Sequence, residues 1–323
     1  MRNSVRFLSA TILTVLLTGF SPVFAQNTNQ SGKKQKTQQT ARPITVPISV
    51  RAGTVKVSET RGEVLEAGNL TVKENGQERT ILSMRSTSDS PMQFAVLIQE
   101  DVESVVNLEL EGIGNFIRRL PKGSRVMVGY LRGGTIQVRQ KFTEDLEKAA
   151  KSLRILAGNS AAPLNPYVGV MEALERFENL PIGRRAILVV SDGLDIGRGV
   201  DSASPAQSID LDRAILKSQR NGVAVYTIYA SAAGTTGGNS RLVSYGQGSL
   251  QRLADETGGR AFFSGFSTPV SFSPFLRELG ASLARQFALT YLSTDKETGF
   301  RRIEITSDSR EVKIEYPKGV NPR

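Results

Sequence analysis

The residues with the most chemistry to offer lie in two short acidic stretches, Gln99-Glu100-Asp101-Val102-Glu103-Ser104 and Ser191-Asp192-Gly193-Leu194-Asp195. Carboxylates brought together repel one another unless a cation or a raised pKa relieves them. Calcium accepts irregular all-oxygen sites of high charge, so Asp101, Glu103 and Asp192 form a candidate Ca2+ or Mg2+ set. The other reading is that no ion binds and the acids face water, helped by the N-terminus of the following helix. What else the chain can do is bounded by two absences: it contains no histidine and no cysteine. Ser-His-Asp and Cys-His catalysis, disulfides, thiolate metal sites and most zinc chemistry are thereby excluded. Asp101 and Asp192 as a glycosidase pair would need a separation of about 5–9 Å in a sugar-sized cleft, and no Gly-x-Ser-x-Gly elbow occurs. The chain reads as a non-enzyme.

For the two stretches to meet, they must leave neighbouring strands. Phe94 to Ile98 and Ala186 to Val190 are continuous apolar runs, as strands buried on both faces are, and Val126 to Leu131 and Val223 to Tyr229 are two more. Between them run helical segments. Val106, Leu110, Ile113, Ile117 and Leu120 recur at helical spacing up to Pro121; Leu146–Leu156, Tyr167–Leu180 and Leu211–Asn221 follow. Ser249 is placed to cap a helix through Thr257, closed by Gly258-Gly259, and Ser273-Pro274 opens the last one. The stretch Gly234 to Gly248 reads as a strand-to-helix loop at the same rim. Its Gly246-Gln247-Gly248 and Gly237-Gly238 fit neither a dinucleotide fingerprint nor a phosphate-binding loop. Strands alternating with helices of this length imply a doubly wound, mostly parallel sheet covered on both faces, with ligands in the crevice beyond the strand ends.

The two ends of the chain have a different texture. Ile44, Val46, Ile48 and Val50 alternate with other residues, and Pro47, which cannot donate to a ladder, points to an edge strand. Val55-Lys56-Val57, Leu70-Thr71-Val72-Lys73 and Thr80-Ile81-Leu82 are strand-like, with the hairpin dipeptide Asn75-Gly76 between the last two. Past Gln286, the segments Ala288–Leu292, Arg302–Thr306 and Glu311–Tyr316 alternate again. These flanks are expected to pair into one small antiparallel sandwich with the α/β domain inserted between them. Before them, Arg2 and Arg6 precede a short apolar run from Phe7 to Phe20, and Val23-Phe24-Ala25 supplies small residues for cleavage. That is a signal peptide, too short to span a bilayer. The organisation expected is a signal peptide over 1–25, a disordered basic linker over 26–43, a β segment over 44–90, the α/β domain over 91–286 and a C-terminal β segment over 287–323. The formal net charge is +10, and residues 1 to 43 hold six basic residues and no acid. Basic pairs such as Arg184-Arg185 lack interleaved aromatics, so nucleic acid is not an expected partner.

An apolar strand, an acidic or hydroxyl loop, a helix and then Ile187-Leu188-Val189-Val190-Ser191-Asp192-Gly193 resemble a von Willebrand factor type A domain. Leu250 to Gly259, with its Thr257-Gly258-Gly259, is similar to a segment of bacterial members, and the β flanks resemble an exported bacterial subgroup. The resemblance covers about residues 44 to 320. It implies a metal-ion-dependent adhesion site built from an Asp-x-Ser-x-Ser loop, a Thr and an Asp. Here Gln99, Asp101 and Glu103 stand at the first three positions, Asn159 to Tyr167 offers no Thr, and only Asp192 matches, so the site is degenerate. With the leader cleaved near Ala25 and no later apolar stretch long enough to span a membrane, the expectation is a periplasmic or secreted module that binds or adheres to a protein partner in the envelope or extracellular space. Gln99, Glu100, Asp101, Glu103, Ser104, Asp192 and Asp195 would form the partner-binding rim. The alternative is a structural or assembly protein of the envelope that uses its β unit as the interface and leaves the α/β crevice inert.

Overall fold

Strand order decides where the acidic stretches go. The structure, a computed structural model, describes residues 41–52, 70–156, 165–232, 239–295, 299–309 and 312–321. The expected signal peptide, most of the basic linker, the strand at Val55–Val57 and most of the Asn159–Tyr167 and Gly234–Gly238 segments lie outside these residues.

The apolar runs form one six-stranded sheet. It contains β5 (Met92–Gln99), β6 (Arg125–Arg132), β7 (Thr135–Thr143), β8 (Arg184–Ser191), β9 (Ala224–Tyr229) and β10 (Ala261–Phe262), in the order β10-β9-β8-β5-β6-β7. All neighbours are parallel except β7, which returns antiparallel to β6. From β5 the chain first adds β6 on one side, then crosses to add β8 on the other. The order therefore reverses between β5 and β8, where Ile98 stands opposite Val190. Successive residues of β5 feed opposite cores. Phe94, Val96 and Ile98 pack with Ile113, Phe116 and Leu279 of α1 (Leu110–Arg118) and α6 (Ser273–Ala284). Ala95 and Leu97 pack with Val170, Leu211 and Leu253 of α3 (Pro166–Glu175), α4 (Ile209–Asn221) and α5 (Ser240–Thr257). Strands loaded on both faces give up alternation, which is why they read as unbroken apolar runs.

Helix starts are written in side chains. Asp145 accepts from Lys148 N at 2.9 Å to open α2 (Leu146–Lys151), Ser208 from Leu211 N at 3.2 Å to open α4, and Asn239 from Leu242 N at 3.2 Å to open α5. Two helices are shorter than their periodicity suggests: α2 stops at Lys151 and α3 at Glu175, each running on into turns. One is longer. The stretch read as a glycine-rich loop up to Gly248 is helical from Ser240, with Leu242, Val243, Gly246, Ser249, Leu250 and Leu253 buried at helical spacing. Gly246 is there for contact rather than for a turn. A Cβ on it would overlap the carbonyl oxygen of Asp192, and Gly193 (φ +70°) abuts the Gly246 carbonyl in return. Glycine in a helix costs about 1 kcal/mol relative to alanine; here it lets α5 lie directly on the Asp192 turn.

The flanks pair as a sandwich. One sheet has the order β13-β1-β11-β4, from β1 (Arg42–Ala52), β4 (Ile81–Ser86), β11 (Gln286–Ser293) and β13 (Val312–Glu315). The other is β14-β12-β2-β3, from β2 (Leu70–Glu74), β3 (Gln77–Arg79), β12 (Arg301–Ser307) and β14 (Gly319–Val320). Each joins the two ends of the chain, with Ile44 opposite Tyr291 and Val72 opposite Ile305, and their inner faces share one core of Val46, Ile48, Val72, Leu289, Tyr291 and Ile303. The α/β unit is thus inserted between the segments that build this sandwich. Asn75-Gly76 makes the β2–β3 hairpin with φ of +50° and +78°, as a two-residue turn with both positions left-handed requires. β1 is not an edge along its whole length, as Pro47 suggested: β13 covers it at Ser49–Ala52. Pro47 falls before that stretch and pairs only with β11, so the missing N–H costs no ladder bond.

Candidate functional site

Because β5 and β8 are neighbours, the acidic stretches emerge side by side at the C-terminal end of the sheet. Gln99 joins them. Its Oε1 accepts the Ser191 hydroxyl and, at 3.3 Å, the Asp192 N–H. Ser191 Oγ in turn accepts from Gly193 N at 3.0 Å, and Asp192 Oδ1 from Leu194 N at 3.1 Å. The turn after β8 is thereby closed on itself. Tyr167, the first residue after the proline that opens α3, donates its hydroxyl to Gly193 O at 2.6 Å.

The remaining acids are each engaged separately. Glu100 pairs with Arg154 and, at 3.6 Å, with Arg132. Asp195 Oδ2 accepts from Ser208 Oγ at 2.8 Å, coupling the acidic turn to the cap of α4. Glu103 accepts from Thr268 Oγ1 at 2.7 Å while its N–H bonds Ser231 O at 2.8 Å. Ser104 is exposed and opens a short 3₁₀ turn, Ser104–Glu109, that leads into α1. Gln99, Glu100, Asp101, Asp192 and Asp195 are all buried, Asp192 completely. The rim residues read from sequence therefore converge, but as a buried network under the surface rather than as a row of exposed contacts.

Asp101 and Asp192 are both raised above the usual carboxylate range. Burial pushes the Asp192 carboxyl up to about 7; the Leu194 N–H holds it down, while the Asp101 charge adds to the rise. Burial also raises Asp101, with the Gln99 amide opposing the rise. Asp192 Oδ2 and Gln99 Nε2 are buried without a close hydrogen-bond partner. The expected trio of Asp101, Glu103 and Asp192 is not assembled, because Glu103 is turned toward Thr268. Among the described residues no group of three or more acidic side chains is placed to hold a metal ion. Two carboxylates and one neutral amide remain, so the donor set does not fit a divalent cation of the kind that needs several anionic oxygens.

Sequence reasoning missed three participants. Arg154, Thr268 and Ser208 lie 54, 165 and 13 residues from their acidic partners. Ser208 alone carried a local signal, as a helix cap before Leu211; pairings across the sheet end leave none.

The α/β unit is von Willebrand factor type A-like in fold. It has the reversal between β5 and β8, the acidic turn after each, and helices on both faces that the sequence resemblance implied. No family model matches the chain, and no curated protein matches it. Similar solved structures include an aerotolerance-related membrane protein from Bacteroides fragilis, 11% identical over 59% of this chain and 98% of that one with a TM-score of 0.41. They include the conserved hypothetical protein BatB from Bacteroides thetaiotaomicron, 14% identical over 60% and 97% with a TM-score of 0.42. A von Willebrand factor type A protein from Catenulispora acidiphila is 11% identical over 86% and 72%, with a TM-score of 0.43. Likeness at this level adds nothing to what the strand order already says about the von Willebrand-like unit. No helix among the described residues is long and apolar enough to cross a membrane.

Proposed function

We propose that this chain is an exported, non-catalytic module that binds a protein partner at the C-terminal rim of its von Willebrand-like sheet. The observation that carries the reading is a set of exposed apolar side chains on segments tied together by half-buried side chains of the turn after β5. Leu108 is 78% exposed, Ile155 73%, Phe266 67% and Val270 93%. Their segments are tied to the turn after β5: Asn107 Oδ1 accepts from Leu156 N at 2.8 Å, Glu103 from Thr268, and Glu109 Oε2 from Phe272 N at 2.7 Å. Large apolar side chains left in water on neighbouring loops mark interaction surfaces, and preorganised loops lose little entropy on docking. Glu100, Asp101, Glu103, Asp192 and Asp195 act in this reading as the frame; Ser104 and the apolar residues make the contact. The lack of histidine and cysteine and the internal engagement of the acids support a role without catalysis, and the apolar leader ending at Ala25 supports export.

The test is site-specific photo-crosslinking in the producing cell, with the probe at Leu108 or Val270 and a control probe at Leu82, which is half exposed on the sandwich. One protein should be trapped from both rim positions and not from Leu82. Its affinity for Leu108→Asp combined with Val270→Asp should fall about 100-fold. Trapping from Leu82 alone would instead favour the sandwich as the interface.

A further inference from the structure

At the opposite end of the parallel sheet, where β5 and β8 begin, α1 and α6 part to leave a cavity of about 910 Å³. Its floor is apolar: Met92, Phe116, Leu120, Leu276 and Leu283 line it and are all buried. Two glycines border it with room to spare: a Cβ at Gly280 would meet Phe116 at 3.9 Å and one at Gly112 would meet Leu276 at 3.6 Å, ordinary contact distances. The mouth is cationic. Arg119, Lys122 and Arg277 are exposed along it and make no ion pair among the described residues, and Asp89 is the one acid in the lining.

Arg184, 7% exposed, sits at the base. Its guanidinium donates to Gln286 Oε1 at 2.9 Å, Ser88 O at 3.2 Å, Ser90 O at 2.8 Å and Leu283 O at 2.6 Å. Every one of those acceptors is neutral. Burial lowers the Arg184 pKa, opposed in part by Tyr226 and by Asp89 in the lining. A buried cation held mainly by neutral acceptors adds to the positive potential of the cavity, which favours an anionic occupant. Cavities of this size that combine an apolar floor with convergent polar groups are what small-molecule sites look like.

We propose that this cavity binds a single-chain anionic amphiphile, its hydrocarbon laid on the Met92–Leu283 floor and its carboxylate held at the Arg119, Lys122 and Arg277 mouth. The head pairs with the cations of the mouth, and the tail removes apolar surface from water. This site is independent of the rim and of the function proposed for it.

The experiment is calorimetric titration of the full chain with monomeric dodecanoate, alongside dodecyltrimethylammonium of the same tail length and vesicles of phosphatidylglycerol. Dodecanoate should bind saturably with one-to-one stoichiometry and raise the melting temperature, and the ammonium amphiphile should not. Arg119→Glu with Arg277→Glu, both exposed and harmless to folding, should weaken dodecanoate about tenfold. Gly280→Leu, which fills the groove and keeps every charge, should abolish binding. The proposal is overturned by an absence of saturable dodecanoate binding, by equal binding of the cationic amphiphile, or by an affinity that the arginine variants leave unchanged. Association with vesicles alone would also overturn it, because surface charge would then suffice.

Discussion

Glu74 in the sandwich and Asp192 at the end of the parallel sheet are both fully buried, and their surroundings are opposite in kind. Both oxygens of Glu74 are occupied: Arg301 Nη1 at 3.1 Å and the Tyr291 hydroxyl at 3.2 Å on one, Arg79 Nε at 3.2 Å and the Ser293 hydroxyl at 2.7 Å on the other. Asp192 has a single close donor, Leu194 N, leaves Oδ2 unmet, and has another acid for a neighbour. A buried charge is tolerated when ionised donors surround it and is costly otherwise. The sandwich, which joins the two ends of the chain, uses its buried charge to fix the pairing of β2, β11 and β12. The von Willebrand-like unit carries its uncompensated acid at the sheet reversal, where open doubly wound sheets place their ligands. Perturbed, uncompensated groups concentrate where function rather than stability sets the sequence.

Breaking the compensated side should have the largest effect. Arg301→Met removes one guanidinium from Glu74 and leaves a buried carboxylate short of charge, with a loss of about 3–5 kcal/mol in chemical denaturation. A loss under about 1 kcal/mol would show that Glu74 is not held by its cations and would dissolve the contrast with Asp192.

The second effect is a pH dependence of unusual sign. The folded-state pKa of Asp192, about 7, lies above its ordinary value of 3.8, so between those limits the native state holds a proton that the unfolded state has released. Stability from this group is therefore complete at low pH, declines as pH rises from about 4 to about 7, and stays reduced above that. Asp192→Asn keeps the shape and removes the charge. It should match the parent near pH 4 and exceed it at pH 8 by about 2–4 kcal/mol. Parallel pH profiles for parent and variant would refute the burial argument for Asp192.

What the sequence disclosed follows the range of the interactions concerned. Phe94–Ile98 and Ala186–Val190 announced a doubly covered sheet because burial on both faces is a local property of a strand. Asn75-Gly76 announced its hairpin for the same reason. The convergence of Gln99 and Asp192 was legible because strand-to-helix alternation fixes which ends of parallel strands share a rim. Partners within that rim were not, since Glu103 meets Thr268 and Glu100 meets Arg154 only after folding. Gly246 misled for a physical reason: its glycine serves a close approach to Asp192 that belongs to tertiary packing, and in one dimension that looks like a loop. The cavity between α1 and α6 left no pattern either, because its cations come from three separate segments.

A third substitution, of intermediate size, moves the two regions toward one another. Gln99→Glu puts a third carboxylate beside Asp101 and Asp192, with no cation in place and the acceptor for the Ser191 hydroxyl retained. In chelator it should lower stability by about 1–3 kcal/mol through like-charge repulsion. Millimolar magnesium or calcium should restore that loss, since three anionic oxygens now face one point. The parent, with its neutral amide, should show no cation-dependent change in melting temperature. A parent that melts higher with either cation would mean that Gln99, Asp101 and Asp192 suffice for a metal site.

The smallest expected effect tests whether burial, and not bond length, separates the cases. Arg125 grips Glu144 Oε1 with Nη2 at 2.8 Å and Nε at 3.0 Å, as short as the bonds around Glu74. Their side chains, however, are 40% and 59% exposed. Water solvates both charges whether or not they touch, and holding two long side chains together costs entropy that offsets much of the attraction. Glu144→Gln should therefore change stability by less than about 0.5 kcal/mol, a shift in melting temperature of about 1–2 °C. If this substitution approached the loss produced by Arg301→Met, geometry alone would govern the ion pairs of this protein. The unmet oxygen of Asp192 would then be an ordinary missing contact, without the penalty that sets the sheet reversal apart from the sandwich.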